Sequence, residues 1–289
     1  MLRSRRNAGW LLATAVYVGL AADGVAAQER PTIAIIGTGT LASALGPALG
    51  REGYTVVYGS RNPARESVSE LVERTGDLAT ATSHQDAAEQ TDFVVLAVPE
   101  EVLFEVAGNL GDLDGKVVVT VAGGEGRVAA DGYLELTQDS TYSQRLQSRH
   151  PSARIVRMNL PNIAYFLEPH LVGTPPTVLL AGNDPRARAT VAQVVFDLEL
   201  NPWDAGPIRF SRVFNQMNWM LSIPAQQGRT EQYELNLMPS VPFSCFFDVT
   251  EEFGYGRPNE LDDLVEFPRR EPVVPCEEWM RRLGLSGGD

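Results

Sequence analysis

"IAIIGTGTLASALG", Ile33 to Gly46, decides the fold. An apolar run ends at a glycine, and small and apolar residues follow at helical spacing. The pattern is a buried strand that breaks at Gly37 and opens a helix. Gly37, Gly39 and Ala42 fit G-x-G-x-x-G/A. The first glycine permits the tight turn, the second lets a pyrophosphate approach the backbone, and the small third residue lets helix pack on strand. The helix start offers free amides and a positive dipole end to phosphates. A dinucleotide is expected over Gly37, Thr38, Gly39, Thr40 and Leu41.

A second stretch, "VVYGSRNPAR" from Val56 to Arg65, selects the dinucleotide. An acid at the end of this strand would bind the ribose 2′-OH of NAD and repel a 2′-phosphate. Ser60 and Arg61 stand there instead, with Arg65 just beyond. A guanidinium presents a planar fork to phosphate oxygens and a serine adds a hydroxyl. These residues predict NADP(H).

Outward from these stretches, apolar strands alternate with helices. "DFVVLAVP", "KVVVTVAGG", "ARIVRMNLP" and "PTVLLAGND" are strand-like. "PARESVSELVERTG", "TYSQRLQSRHPS" and "PRARATVAQVVFDLE" are helical. The expected fold is α/β, a doubly wound, mostly parallel Rossmann-type sheet. Pro47 is expected to kink the first helix. Near residue 205 the character changes to a helix and then a tail rich in proline, acids and aromatics. The expected organisation is a signal peptide over 1–27, a dinucleotide-binding domain over 28–205, and a small C-terminal helical and irregular lobe over 206–289.

The chain has 289 residues, 44% hydrophobic and 21% charged, in the globular range. Its net charge of -13 disfavours nucleic acid and anionic membranes as partners. Arg3, Arg5 and Arg6 precede the apolar run "AGWLLATAVYVGLAA", and "GVAAQE" offers Val25 and Ala27 to a signal peptidase. Export to the periplasm or the outside is expected, with no stable membrane span after cleavage. The Arg5-Arg6 pair leaves the twin-arginine route open. In an exported chain Cys245 and Cys276 could form a disulfide or stay as two buried thiols.

With "FVVLAVP", "YSQRLQSRHPSARIVRMN", "VLLAGND" and "PWDAGPIRFSR" following in order, the sequence resembles the coenzyme F420-dependent NADP oxidoreductase family, itself similar to the cytosolic domain of certain metalloreductases. The resemblance covers roughly residues 32 to 220 and not the tail. It implies direct hydride transfer between NADP(H) and a flavin or deazaflavin such as F420; the residues themselves leave the acceptor open among F420, a flavin, a quinone-like compound, a small carbonyl or another small acceptor. It implies that Thr38, Ser60 and Arg61 touch NADP, that Val98 and Pro99 line the cofactor cleft, and that Asn159 lies near the nicotinamide. The "DAGPI" turn, Asp204 to Ile208, would help form the acceptor pocket.

Other readings compete. "VRMNLPN" and "LAVPEEVL" also resemble pyrroline carboxylate reductases, which reduce imines. A β-hydroxyacid dehydrogenase needs a lysine on the helix after the nucleotide domain, where this chain has "RVFNQMNWM". Its one lysine, Lys116, opens a strand expected at the far edge of the sheet. His170 and Tyr165, in the loop after "RMNLP", are candidates for proton donation, and Asn159 is a further candidate at the reacting end of the cleft. His84 and His150 are expected on the surface, and no metal spacing is present. A non-catalytic NADP-binding protein, a sensor or scaffold, remains open, as does a homodimer built by the tail.

Overall fold

The computed structural model describes residues 30–122, 126–137, 139–168, 174–229, 233–237, 245, 267–268 and 274–284. The expected signal peptide and His170 lie outside these residues.

A single large sheet organises the molecule, in the strand order β10-β9-β8-β5-β4-β1-β2-β3. Its strands are β1 (Ile33–Ile36), β2 (Val56–Gly59), β3 (Ala79–Thr82), β4 (Phe93–Leu96), β5 (Val117–Thr120), β8 (Arg154–Met158), β9 (Thr177–Gly182) and β10 (Asn201–Asp204). A two-stranded hairpin of β6 (Gly126–Val128) and β7 (Leu134–Leu136) follows β5. Strands β1 to β5 and β8 run parallel. Strand β9 enters antiparallel to β8, and β10 runs parallel to β9. A parallel crossover needs a helix long enough to carry the chain back across the sheet. The described helix between β8 and β9, α6 (Ala164–Leu167), has four residues. The chain therefore returns from the carboxyl side, and β8–β9 is the antiparallel pair in a sheet that is otherwise parallel, as expected of a mostly parallel fold.

Both faces of the sheet are covered, which is why its central strands are apolar throughout. On one face lie α1 (Thr40–Arg51), α2 (Glu66–Thr75), α6 and α7 (Pro185–Asp197), packed on Ile33, Ile35, Val95 and Val119. On the other lie α3 (His84–Glu89), α4 (Leu103–Gly108) and α5 (Tyr142–Arg149), packed on Ala34, Ile36, Val94 and Val118. Helix α8 (Ser211–Leu221) extends that second layer, with Phe214 buried on Leu179 and Ala181. Strand alternation sends successive residues to opposite cores. Each fully buried Leu or Ile contributes about 1.5–3 kcal/mol relative to exposure.

Helix α1 runs from Thr40 to Arg51 with Pro47 inside it. Its glycines set its distance from the sheet. A Cβ on Gly46 would lie 1.6 Å from the Tyr58 hydroxyl, and one on Gly50 would lie 2.2 Å from the Thr75 carbonyl. The Tyr58 and Thr75 hydroxyls meet at 2.6 Å, and Thr75 also donates to the Leu71 carbonyl at 2.8 Å.

Helix α7 is capped by Asp184, whose carboxylate accepts from the Ala187 amide at 2.9 Å. From α7, Arg188 forks onto Asp204 at 2.6 and 3.0 Å. The Asp204 carboxylate also accepts from the Gly206 amide at 2.8 Å. That turn sends the chain onto α8, which Ser211 ties to Thr141, the cap of α5, at 2.7 Å. Lys116 begins a strand inside the sheet, not at its edge. Its ammonium donates to the Thr91 carbonyl at 2.7 Å at the amino ends of the strands. No helix of the described residues is long and apolar enough to cross a membrane.

Candidate functional site

Ligands of open parallel sheets bind beyond the carboxyl ends of the strands. Four sequence-predicted positions meet there, Gly37 after β1, Ser60 after β2, Pro99 after β4 and Asn159 after β8, and Ala122 follows β5 at the same end.

The turn after β1 has the geometry its glycines demand. Gly37 has φ +112, which only glycine adopts readily, and a Cβ there would lie 2.4 Å from the Ala97 carbonyl. The Val98 side chain comes within 3.2 Å of that same point, so the β4 loop abuts the turn. A Cβ on Gly39 would meet nothing within 4 Å, and the residue is exposed. Gly39 caps α1 without a side-chain hydrogen bond, and no acid lies in the first turn. The first amides of a twelve-residue helix thus face open space with no carboxylate opposing an anion. Ala42 is fully buried where helix meets strand.

The cations converge on this turn. Ser60 is buried; its amide donates to the Thr82 carbonyl at 2.9 Å and its hydroxyl accepts from the Asn62 amide at 3.2 Å. This fixes the bend that presents Arg61 to solvent. Arg65, the residue before α2, reaches back so that its guanidinium lies 3.4 Å from the Thr38 hydroxyl. One electropositive rim therefore joins the glycine turn to the end of β2. His84, expected on the open surface, is half-buried beside Arg61. Burial, and then the Arg61 charge, hold its imidazole below the usual histidine range.

At the other end of the cleft the polar groups are buried. Asn159 is 5% exposed, and its side-chain oxygen has no hydrogen-bond partner among the described residues. Arg157, two positions earlier on the same strand, is 2% exposed and donates to the Met158 carbonyl. Burial pulls its guanidinium down to about 10, with the Glu100 carboxylate acting against that shift. These residues were legible only in part: Asn159 came from the resemblance, whereas Arg157 sits in an apolar run that gives no hint of a cleft.

Chain from beyond residue 205 roofs this end. Trp219 of α8 lies where a Cβ on Gly126 of the hairpin would be, 2.5 Å away. The Leu134 amide donates to Gln226 at 3.3 Å. The segment 233–237 is pinned by the Thr177 amide donating to the Leu235 carbonyl at 2.7 Å and by the Asn162 amide donating to Glu234 at 3.0 Å. Burial raises the Glu234 carboxyl above its ordinary range. Burial, and then Glu234, raise the Tyr165 hydroxyl. Tyr165 itself is buried, part of the core on the α1 face of the sheet. In the "DAGPI" turn, Asp204 is held by Arg188 and Ile208 is buried against the α5 layer, so both have structural partners. A broader recess of about 770 Å³ opens at the amino ends of the strands, lined by Gln147, Arg154, Asn183 and Arg186, away from the glycine turn.

A Rossmann sheet with a glycine turn open to phosphate and an arginine pair at the end of β2 defines a dinucleotide-binding protein. Residues 32–124 match the family described as NADP oxidoreductase, coenzyme F420-dependent. This bears out the resemblance carried by its motifs. Its sequence is 25% identical over 185 residues to Metalloreductase STEAP3 of Rattus norvegicus, covering 64% of this chain and 36% of that protein. The chain thus spans little more than a third of that relative. A structure from Arthrobacter sp. FB24 described as an F420-dependent NADP-reductase has the same fold, with TM-score 0.60 and 22% identity over 72% of this chain and 100% of that one. An imine reductase from Myxococcus stipitatus in complex with NADP+ aligns with TM-score 0.52 and 16% identity, over 68% of this chain and 63% of that one. The solved structures share the fold of this chain, and the matched family is described as one of NADP oxidoreductases.

Proposed function

We propose that the chain moves a hydride between NADP(H) and a planar flavin- or deazaflavin-like acceptor, ring to ring. The observation that carries this reading is the electropositive rim of Arg61 and Arg65 joined to the open amino end of α1. A cofactor with a pyrophosphate and a 2′-phosphate matches both anion sites at once. The orphaned oxygen of Asn159 suits the amide hydrogens of a nicotinamide carboxamide. When bound, NADPH supplies a hydride from its nicotinamide ring.

The chain's own residues then hold and orient. The α1 amides and Arg65 take the pyrophosphate side, and Ser60 and Arg61 take the 2′-phosphate. Asn159 fixes the plane of the carboxamide, and Val98 and Pro99 wall the cleft. Hydride transfer between rings depends on orientation and a dry cleft more than on acid–base groups. The roof of Trp219, Gln226 and the 233–237 segment excludes water from the acceptor side. Thr38, Thr40 and Leu41 contribute backbone to the phosphate turn.

The chain is read as exported. Cys245 and Cys276 form a disulfide with Cα atoms 5.3 Å apart, a bond that persists in oxidising compartments. An exported reductase would carry its cofactor with it, and the twin-arginine route delivers folded, loaded proteins.

The test is NADPH oxidation by the purified full chain with F420, with a flavin and with a cyclic imine as acceptors. Deazaflavin or flavin turnover at least tenfold above the imine supports the reading. Preferential imine reduction moves the chain to the imine reductases, and cofactor binding without turnover on any acceptor makes it a binding protein.

A further inference from the structure

The motif beside the glycine turn leaves one titratable group unused. Strand register places it. Gly59 pairs with Thr82 across β2 and β3, so Ser60-Arg61 and Ser83-His84 leave the two strands side by side. A Cβ on Gly59 would lie 3.2 Å from the His84 Cα, so the first residue of α3 sits directly against the end of β2. The Ser83 hydroxyl caps α3 by accepting from the Asp86 amide at 3.1 Å, which fixes where His84 begins.

Arg61 and His84 are therefore neighbouring bases at one corner of the cleft. Helix α3 packs on β1, β2 and β3. Neither β1 nor β3 carries a titratable group, and Tyr58 of β2 is engaged with Thr75 on the opposite face. On α3 itself, Asp86 accepts from Thr82 at 3.2 Å and Glu89 accepts from Gln85 at 2.8 Å. Beyond the β2 strand, Arg61 is the charge that acts on the imidazole, and it disfavours protonation. An anion lodged between the two would reverse that.

We propose that His84 is a ligand of the cofactor's 2′-phosphate and takes up a proton when NADP binds. The inference rests on the NADP reading of Arg61. The proton comes from solvent to the imidazole, and no covalent bond changes. NAD lacks the phosphate and leaves His84 neutral. Affinity for NADP then falls as pH rises through the imidazole's titration, while affinity for NAD does not.

Calorimetry of the full chain with NADP+ and with NAD+, in two buffers of different ionisation enthalpy at pH 7.5, counts the protons. Wild type should take up a substantial fraction of a proton per NADP+ and none per NAD+. His84→Gln should take up none and bind NADP+ roughly tenfold more weakly at pH 6, the equivalent of one charge-assisted hydrogen bond, yet match wild type at pH 8.5. A thermal melt equal to wild type shows that the variant is folded. NADP-selective binding with no proton uptake, or uptake unchanged in His84→Gln, overturns the role of His84 alone. Equal affinity for NADP+ and NAD+ at every pH, or no binding of either, overturns the NADP reading and His84 with it.

Discussion

The Arg65 guanidinium lies 3.4 Å from the Thr38 hydroxyl, across 27 positions of sequence. This contact joins the two stretches that define the cofactor, because Thr38 stands between the turn glycines and Arg65 opens α2. It also separates the duties of the two arginines. Arg65 lies over the glycine turn, whereas Arg61 lies at the end of β2, where the 2′-phosphate is expected.

Arg61→Ala is expected to weaken NADP+ binding by roughly ten- to a hundredfold, the worth of a charge-assisted hydrogen bond, and to leave NAD+ binding unchanged. Arg65→Ala should weaken both dinucleotides. Fluorescence titration with NADPH and NADH checks both. An Arg61→Ala protein with undiminished NADPH affinity would refute the phosphate assignment.

Gly46→Ala places a methyl group 1.6 Å from the Tyr58 hydroxyl position, inside a packed interface. Overpacking of this kind costs about 1–3 kcal/mol or more. Tyr58→Phe removes the obstructing oxygen and should restore part of the loss in the double variant, read as a thermodynamic cycle by urea denaturation. Additive effects would show that the helix moves as a body instead.

Asn159→Leu replaces a buried, unpartnered oxygen with apolar bulk. An unsatisfied buried polar group costs about 1–3 kcal/mol, so the apo variant should melt no lower than wild type. Its turnover with NADPH should nonetheless fall at least tenfold. A variant that melts lower and keeps full turnover would make Asn159 a structural residue.

Glu234 carries a pH dependence whose sign follows from its burial. Its folded carboxyl is raised above the unfolded value, so the folded chain holds that proton to higher pH than the unfolded chain. The group's contribution is fully present below the ordinary carboxylate range and is lost as pH rises through the raised value. Glu234→Gln removes this term and should flatten the melting profile on the acid side of neutrality. An unchanged profile would place Glu234 in water.

The nucleotide half was legible because its constraints are local. Gly37, Gly39 and Ala42 are each demanded by one turn, and Ser60 and Arg61 by one strand end. The short strand Ala79–Thr82, the hairpin and β10 were not legible. "ATAT" and "NPWD" lack the apolar runs that mark buried strands, because they lie at the two edges of the sheet. The reversal at β9 was hidden too, since an apolar strand has the same composition in either direction. Arg157 and Glu234 take their character from burial by distant segments, which no local pattern records.

The most direct test of the account is native mass spectrometry of the full chain mixed with equal amounts of NADPH and NADH. Selection of the 2′-phosphate by Arg61 requires a one-to-one NADPH adduct that outweighs the NADH adduct at least tenfold. Equal adducts, or none, would contradict it and reduce the glycine turn to a device for packing helix on strand.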